Sequence, residues 1–144
     1  MEMPKRILSV CMGNGDRSPL IERILKMLLE FAGKYVQCES AGILESAAEG
    51  SASPYAIVAG KRIGIDLSDH RRRRIDSLDL RDFDLFVCVD EKVATYVLAL
   101  GVPMEKIYNV QISNSWPVQF QVEYDETAEA IMKAVYRTII RYFS

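Results

Sequence analysis

The chain has 144 residues, 49% hydrophobic and 26% charged, and its 18 Lys plus Arg against 20 Asp plus Glu leave a net charge of −2. That length suits one domain and buries about 70% of the surface its unfolded chain exposes, so the core needs neither disulfides nor metal. The acidic balance excludes a generic nucleic-acid or anionic-membrane binder, and the composition excludes disordered, collagen-like, coiled-coil and disulfide-stapled classes.

The cysteines, Cys11, Cys38 and Cys88, form no C-x-x-C pair, and His70 is the only histidine, so zinc-ligand spacing is absent and no metal or cofactor is implied. Sparse, odd cysteines fit a reducing cytosol. The apolar run from Ile7 to Met12 is too short for a signal-peptide core, and no run reaches the roughly 18 apolar residues of a membrane span. A soluble, cytoplasmic protein is expected.

In chain order, Arg6 to Val10 reads as a buried strand that ends in a glycine-rich turn. Ser18-Pro19 then reads as an N-cap followed by the first helical position. Leu20, Ile21, Ile24, Leu25, Leu28 and Phe31 recur at helical spacing after it. Tyr35 to Glu39 suits a second strand. Ser53-Pro54 to Ile63-Gly64 repeats the pattern of Pro inside a helix start and Gly past its end. Asp84 to Val89 is a continuous apolar run suited to a central parallel strand. Asp90 can cap the next helix and Gly101 can end it. Ile107 to Ile112 reads as the last strand, and Asp125 to Tyr142 as a final helix with Ile131, Val135, Ile139 and Tyr142 on one face.

Strands alternating with helices predict a single domain over 1–144. Its fold class is α/β, a doubly wound, short parallel sheet of about four strands with helices on both faces. In such sheets ligands sit outside the carboxyl ends of the strands. The turn after the first strand is therefore the first place to look for chemistry.

That turn reads Cys11-Met12-Gly13-Asn14-Gly15-Asp16-Arg17-Ser18. Cys followed six residues later by Arg is weak evidence alone. Here, however, the Cys ends a strand, the intervening residues accept positive φ, and a helix N-terminus closes the loop. Successive backbone N–H groups make an anion-binding nest, and the helix adds orphan donors and its positive dipole end. The Arg17 guanidinium can grip two oxygens of a tetrahedral oxyanion. The same field favours a thiolate at Cys11, to which Ser18 can donate its hydroxyl. A thiolate at the base of a phosphate cradle is the machinery of covalent phosphoryl transfer. The bland alternative is a small buried Cys11 beside a surface Arg17.

The stretch from Val10 to Pro19 resembles the low-molecular-weight protein tyrosine phosphatases, whose signature is commonly V-C-x-G-N-x-C-R-S-P. The likeness continues at Ser40-Ala41-Gly42, Ser53-Pro54-Tyr55-Ala56, Gly64 to Arg71, and Phe83 to Asp90, and it fades after about residue 100. The resemblance implies hydrolysis of phosphomonoesters, protein phosphotyrosine first among them, through a cysteinyl-phosphate. Cys11 would be the nucleophile and Arg17 the transition-state clamp. Met12, Gly13, Asn14, Gly15, Asp16, Arg17 and Ser18 would bind phosphate, while Asn14, Ser18, Ser40 and His70 support the loop. The implied partners are a phosphorylated protein or small phosphoester, with inorganic phosphate as product, and neither nucleic acid nor a membrane.

Two departures stand out. The position before the Arg, usually a second Cys, is Asp16, so the family's disulfide between loop cysteines cannot form; Cys38 and Cys88 read as core. The family's general acid, an Asp in a D-P dipeptide before the last helix, is also missing: only Trp116-Pro117 stands there, and no Asp precedes a Pro. Losing a general acid costs about 10²–10⁴-fold in rate. Asp16 is a candidate substitute, since like charge beside a phosphate favours its protonated form; otherwise it points away from the ligand. Glu123 and Asp125 read better as the start of the last helix.

Trp116 is either a packing residue or a pocket wall that stacks on an aromatic phosphoester. Arg71 to Arg74 is a solvated basic face or a rim that steers acidic phosphoproteins; Arg71 and Arg73 fall where the family often has Arg. Gly15 leaves phosphotyrosine, phosphoarginine and small phosphoesters open. The missing acid keeps a weak phosphate-binding relative in play. A thiol-linked arsenate reductase needs resolving cysteines, and only Cys88 is near.

Overall fold

The structure, a computed structural model, describes residues 2–113 and 120–144. The apolar run after Lys5 forms β1 (Arg6–Cys11), with Ile7, Leu8 and Val10 fully buried. It is followed by α1 (Arg17–Phe31), β2 (Gln37–Gly42), α2 (Pro54–Arg62), β3 (Leu85–Cys88), α3 (Glu91–Ala99), β4 (Ile107–Asn109) and α4 (Gln121–Phe143). The strands form one four-stranded sheet in the order β2-β1-β3-β4. Every pairing is parallel, with Cys11 opposite Gly42 and Val10 between Ala41 and Cys88. The predicted α/β class and strand number hold.

From β1 the chain crosses to β2 on one side, and from β3 to β4 on the other. Because such crossovers are right-handed, α1 and α3 lie on opposite faces. α1, α2 and α4 pack on one another, whereas α3 packs on β3 and β4. The order therefore reverses between β1 and β3, which is the switch point where open α/β sheets bind ligands. Two loops flank that crevice: Cys11 to Asp16 after β1, and Asp90 after β3.

Helix starts depart from the expected pattern in one informative place. Asp16, not Ser18, stands at the N-terminal boundary of α1, and no side chain caps the first turn. Arg17, Ser18 and Pro19 all lie inside that turn. Pro fits there because N–H groups in the first turn have no intrahelical acceptor, and Ser18 is released for the sulfur described below. Ser53 does cap α2, accepting from the Ala56 N–H, and Asp90 caps α3 through the Val93 N–H.

Other boundaries shift modestly. β2 begins at Gln37 and runs to Gly42, β4 stops at Asn109, and α4 starts at Gln121. Phe31, expected on the buried face of α1, is 93% exposed, and Leu29 is buried in that helix instead. Phe83 meets Phe86 edge-on with centroids 5.9 Å apart. Among the described residues, no helix is long and apolar enough to cross a membrane.

Candidate active site

The loop after β1 bends through Asn14, which adopts φ 55°, a left-handed conformation that Asn tolerates better than most residues. This bend aims the Asn14 N–H at Cys11 Sγ, 3.2 Å away, while Ser18 Oγ lies 2.9 Å from the same sulfur. Cys11 itself is 2% exposed.

The direction of these hydrogen bonds follows from the neighbours. Asn14 Nδ2 donates to Ser18 Oγ and to Ser40 Oγ, each at 2.9 Å. Ser40 Oγ in turn donates to Glu22 Oε1 at 2.7 Å. With one Ser18 lone pair filled by the amide, its hydroxyl proton is available to Cys11. The chain Glu22, Ser40, Asn14, Ser18 is thus polarised to present a proton to sulfur, which suits a thiolate.

His70 Nε2 donates to the Asn14 carbonyl at 2.8 Å, and the Arg73 N–H reaches Asn14 Oδ1 at 2.9 Å. Burial holds the imidazole below its ordinary pKa, opposed by the bond to that carbonyl. A neutral ring with its proton on Nε2 keeps this bond intact. All four residues expected to support the loop, Asn14, Ser18, Ser40 and His70, therefore meet in one network.

Arg17 is 3% exposed and ion-paired, Nη1 to Asp90 Oδ2 at 2.9 Å. The same Nη1 donates to the Ile112 carbonyl at 2.9 Å. Asp90 Oδ1 meanwhile accepts the Val93 N–H at 2.9 Å, so one carboxylate caps α3 and orients the Arg17 guanidinium across the switch point. A charge this deep is tolerated because it is paired.

Cys11, Asp16 and Arg17 line a pocket of about 570 Å³, walled by Ser53, Tyr55 and Arg72 among others. Asp16 turns its carboxylate to the Ser53 hydroxyl on that wall, and its carbonyl accepts from Tyr124 OH at 2.7 Å. Tyr124 is fully buried, and its phenol is pushed well above its ordinary pKa by burial first, then by the Asp16 and Cys11 charges. Glu123 and Asp125 lie in the first turns of α4, as expected. Glu123 accepts the Phe120 N–H, and Asp125 pairs with Arg62 and Gln121. Neither lines the pocket.

Cys88 is fully buried, and desolvation with the Asp90 charge pushes its thiol up to about 12. Burial raises Cys38 to about 12 also. Trp116 falls outside the described residues. Sequence reasoning missed Tyr124, the ion pair at Asp90, and the placement of Arg72. Asp90 was legible only as a cap, and the basic run around Arg72 read as surface.

Comparison with known proteins agrees with this geometry. A family model described as low molecular weight phosphotyrosine protein phosphatase matches residues 6–117. Over 90 residues the chain is 36% identical to the probable low molecular weight protein-tyrosine-phosphatase AmsI of Erwinia amylovora, a match covering 62% of this chain and 59% of that protein. The matched stretch is thus about three-fifths of the relative's length. The crystal structure of a low molecular weight protein tyrosine phosphatase from T. tengcongensis superposes with a TM-score of 0.83 at 28% identity, covering 94% of this chain and 98% of the other. Wzb of Vibrio vulnificus in complex with benzylphosphonate does so at 0.83 and 25% identity, covering 96% and 99%. The chain belongs to the low molecular weight phosphotyrosine protein phosphatase family.

Proposed function

We propose that this chain acts as one catalytic domain that hydrolyses phosphomonoesters, with protein phosphotyrosine as the substrate class, through a phosphocysteine at Cys11. The observation that carries the reading is the pair of donors, the Ser18 hydroxyl and the Asn14 N–H, converging on Cys11 Sγ at the floor of the pocket. The benzylphosphonate complex of the Vibrio relative supports an aryl-bearing substrate.

In the first step Sγ attacks phosphorus and the bond to the ester oxygen breaks. The Arg17 guanidinium and the loop N–H groups of the pocket-lining residues Met12, Gly13, Gly15, Asp16 and Arg17 stabilise the three equatorial oxygens, while the Asn14 N–H stays on Sγ. Asp16 is the proposed source of the leaving oxygen's proton, because it lines the pocket with Ser53 holding its carboxylate. In the second step water attacks the phosphocysteine, Asp16 takes the proton, and phosphate leaves with the thiolate restored.

The absence of any Asp-Pro dipeptide favours one rival, a module that binds phosphate with little turnover. The deciding experiment compares an aryl phosphate of low leaving-group pKa with a phosphotyrosine peptide, for the native chain, Cys11→Ser and Asp16→Asn. Turnover of both substrates, abolished by Cys11→Ser and reduced about 10²-fold or more on the peptide by Asp16→Asn, is expected. Activity on neither substrate favours the binding module. Peptide turnover untouched by Asp16→Asn removes Asp16 as the acid.

A further inference from the structure

Of the four arginines from Arg71 to Arg74, two are engaged with carboxylates: Arg73 with Glu39 at 2.9 Å and Arg74 with Asp76 at 3.2 Å. Arg71 is exposed, donates to the His70 carbonyl, and does not line the pocket. Arg72 does line it. Its backbone N–H donates to the Gly50 carbonyl at 2.8 Å and its Nε to the Ser51 carbonyl at 2.7 Å. Those bonds swing the side chain over the phosphate loop, where Nη1 approaches the Gly13 carbonyl at 3.5 Å.

The position is tighter than these distances convey. A Cβ built on Gly15 would lie 2.4 Å from Arg72 Nη2 and 2.5 Å from Cζ. The guanidinium therefore occupies the space that any side chain at position 15 would fill. It supplies that part of the pocket wall as a planar cation instead of an alkyl group. Arg17 is the other guanidinium of the pocket, and Asp90 offsets its charge. Arg72 joins no ion pair among the described residues, and Glu49 on the same wall does not reach it. Its charge is therefore available to a ligand.

We propose that Arg72 is a substrate-selecting residue: it binds a carboxylate adjacent to the phosphorylated residue of a protein substrate, so that acidic phosphopeptides are preferred. The inference rests on Cys11 as the phosphate-binding centre. It assigns the substrate's second anion to a side chain that the reaction itself does not use.

The test pairs phosphotyrosine peptides whose flanking residues are Glu in one and isosteric Gln in the other. Binding to Cys11→Ser by calorimetry and kcat/KM of the active chain are both read as Glu-to-Gln ratios. A rim ion pair of this exposure is expected to give a ratio of about fivefold at low salt, shrinking at high salt. Arg72→Gln should bring the ratio to one, and Arg72→Glu should shift preference to Lys-flanked peptides. Gly15→Ala, whose methyl expels the guanidinium, should also erase the preference. A purely structural role for Arg72 would lower both peptides together and leave the ratio alone. A ratio of one in the native chain, or one unchanged by Arg72→Gln, overturns the proposal. Absence of turnover defeats Cys11 as nucleophile, yet the calorimetric ratio still decides Arg72.

Discussion

Replacing Asp90 separates two roles that one carboxylate performs. Asp90→Asn keeps an equally good N-cap for Val93 but removes the charge facing Arg17, whereas Asp90→Ala removes both. Deleting one partner of a fully buried pair costs about 3–5 kcal/mol. The Asp90 side chain is 29% exposed and Arg17 only 3%, so water screens one side and about 1–2 kcal/mol is the fitting figure for the charge. The cap adds about 1 kcal/mol. Asp90→Asn should therefore lose about 1–2 kcal/mol and Asp90→Ala about 2–3 kcal/mol, or about 2–4 °C in Tm per kcal/mol for a chain of this length. Urea denaturation at neutral pH reads the stabilities, and hydrolysis of an aryl phosphate reads the clamp. A guanidinium held at Nη1 by the Ile112 carbonyl alone, without its carboxylate partner, should cost about 10–100-fold in kcat in both variants, since small misplacements are that expensive. If Asp90→Asn matches the native chain in kcat, the orientation of Arg17 does not depend on Asp90 and the reasoning fails.

Three further outcomes follow from the geometry. Gly42→Ala would push a methyl to 2.7 Å from the Met12 carbonyl and 2.8 Å from the Asn14 nitrogen; backbone cannot yield cheaply, so a loss of about 1–3 kcal/mol and weaker inhibition by phosphate are expected, and unchanged inhibition contradicts the packing. For His70, burial lowers the folded-state pKa below about 6.5, so its contribution to stability is complete above that pH and is lost as pH falls through the folded-state value. The stability difference between the native chain and His70→Gln should therefore narrow between pH 7.5 and 5.5, and a constant difference refutes a neutral ring. Alkylation at pH 8 should modify one thiol in the native chain and three after denaturation, because Cys38 and Cys88 are both raised to about 12. Phosphate should protect the reactive one, and labelling of Cys88 before Cys11 would reverse the assignment.

Local chemistry made the loop legible. Cys11, Asn14, Arg17 and Ser18 fall within eight residues, and the turn that gathers them is specified by Gly, Asn and a helix start. Ser40 and His70 were accessible only through the family resemblance, because nothing in their own neighbourhoods marks them. The capping misassignment at Ser18 came from a real preference, Ser before Pro, that the site overrides by claiming the hydroxyl for sulfur. Phe31 sits in helical register with the core stripe, but as the last residue of α1 it is left exposed. Asp90 and Arg17 are 73 residues apart, and no pattern in either segment announces the pair. Arg72 was hidden inside a run whose charge suggested solvent, and its position depends on the lack of a side chain at Gly15. Tyr124 fell one residue before the predicted last helix, and nothing in its neighbourhood marked it, whereas the structure places it inside α4.

The bond from Tyr124 to the Asp16 carbonyl joins segments 108 residues apart. A ribosome that has released all four strands but still holds α4 in its exit tunnel displays a phosphate loop lacking that tether, and α1 lacking the helix packed against it. The final geometry of that loop is thereby coupled to the docking of an element that follows all four strands in the chain, so the loop and α4 are completed together.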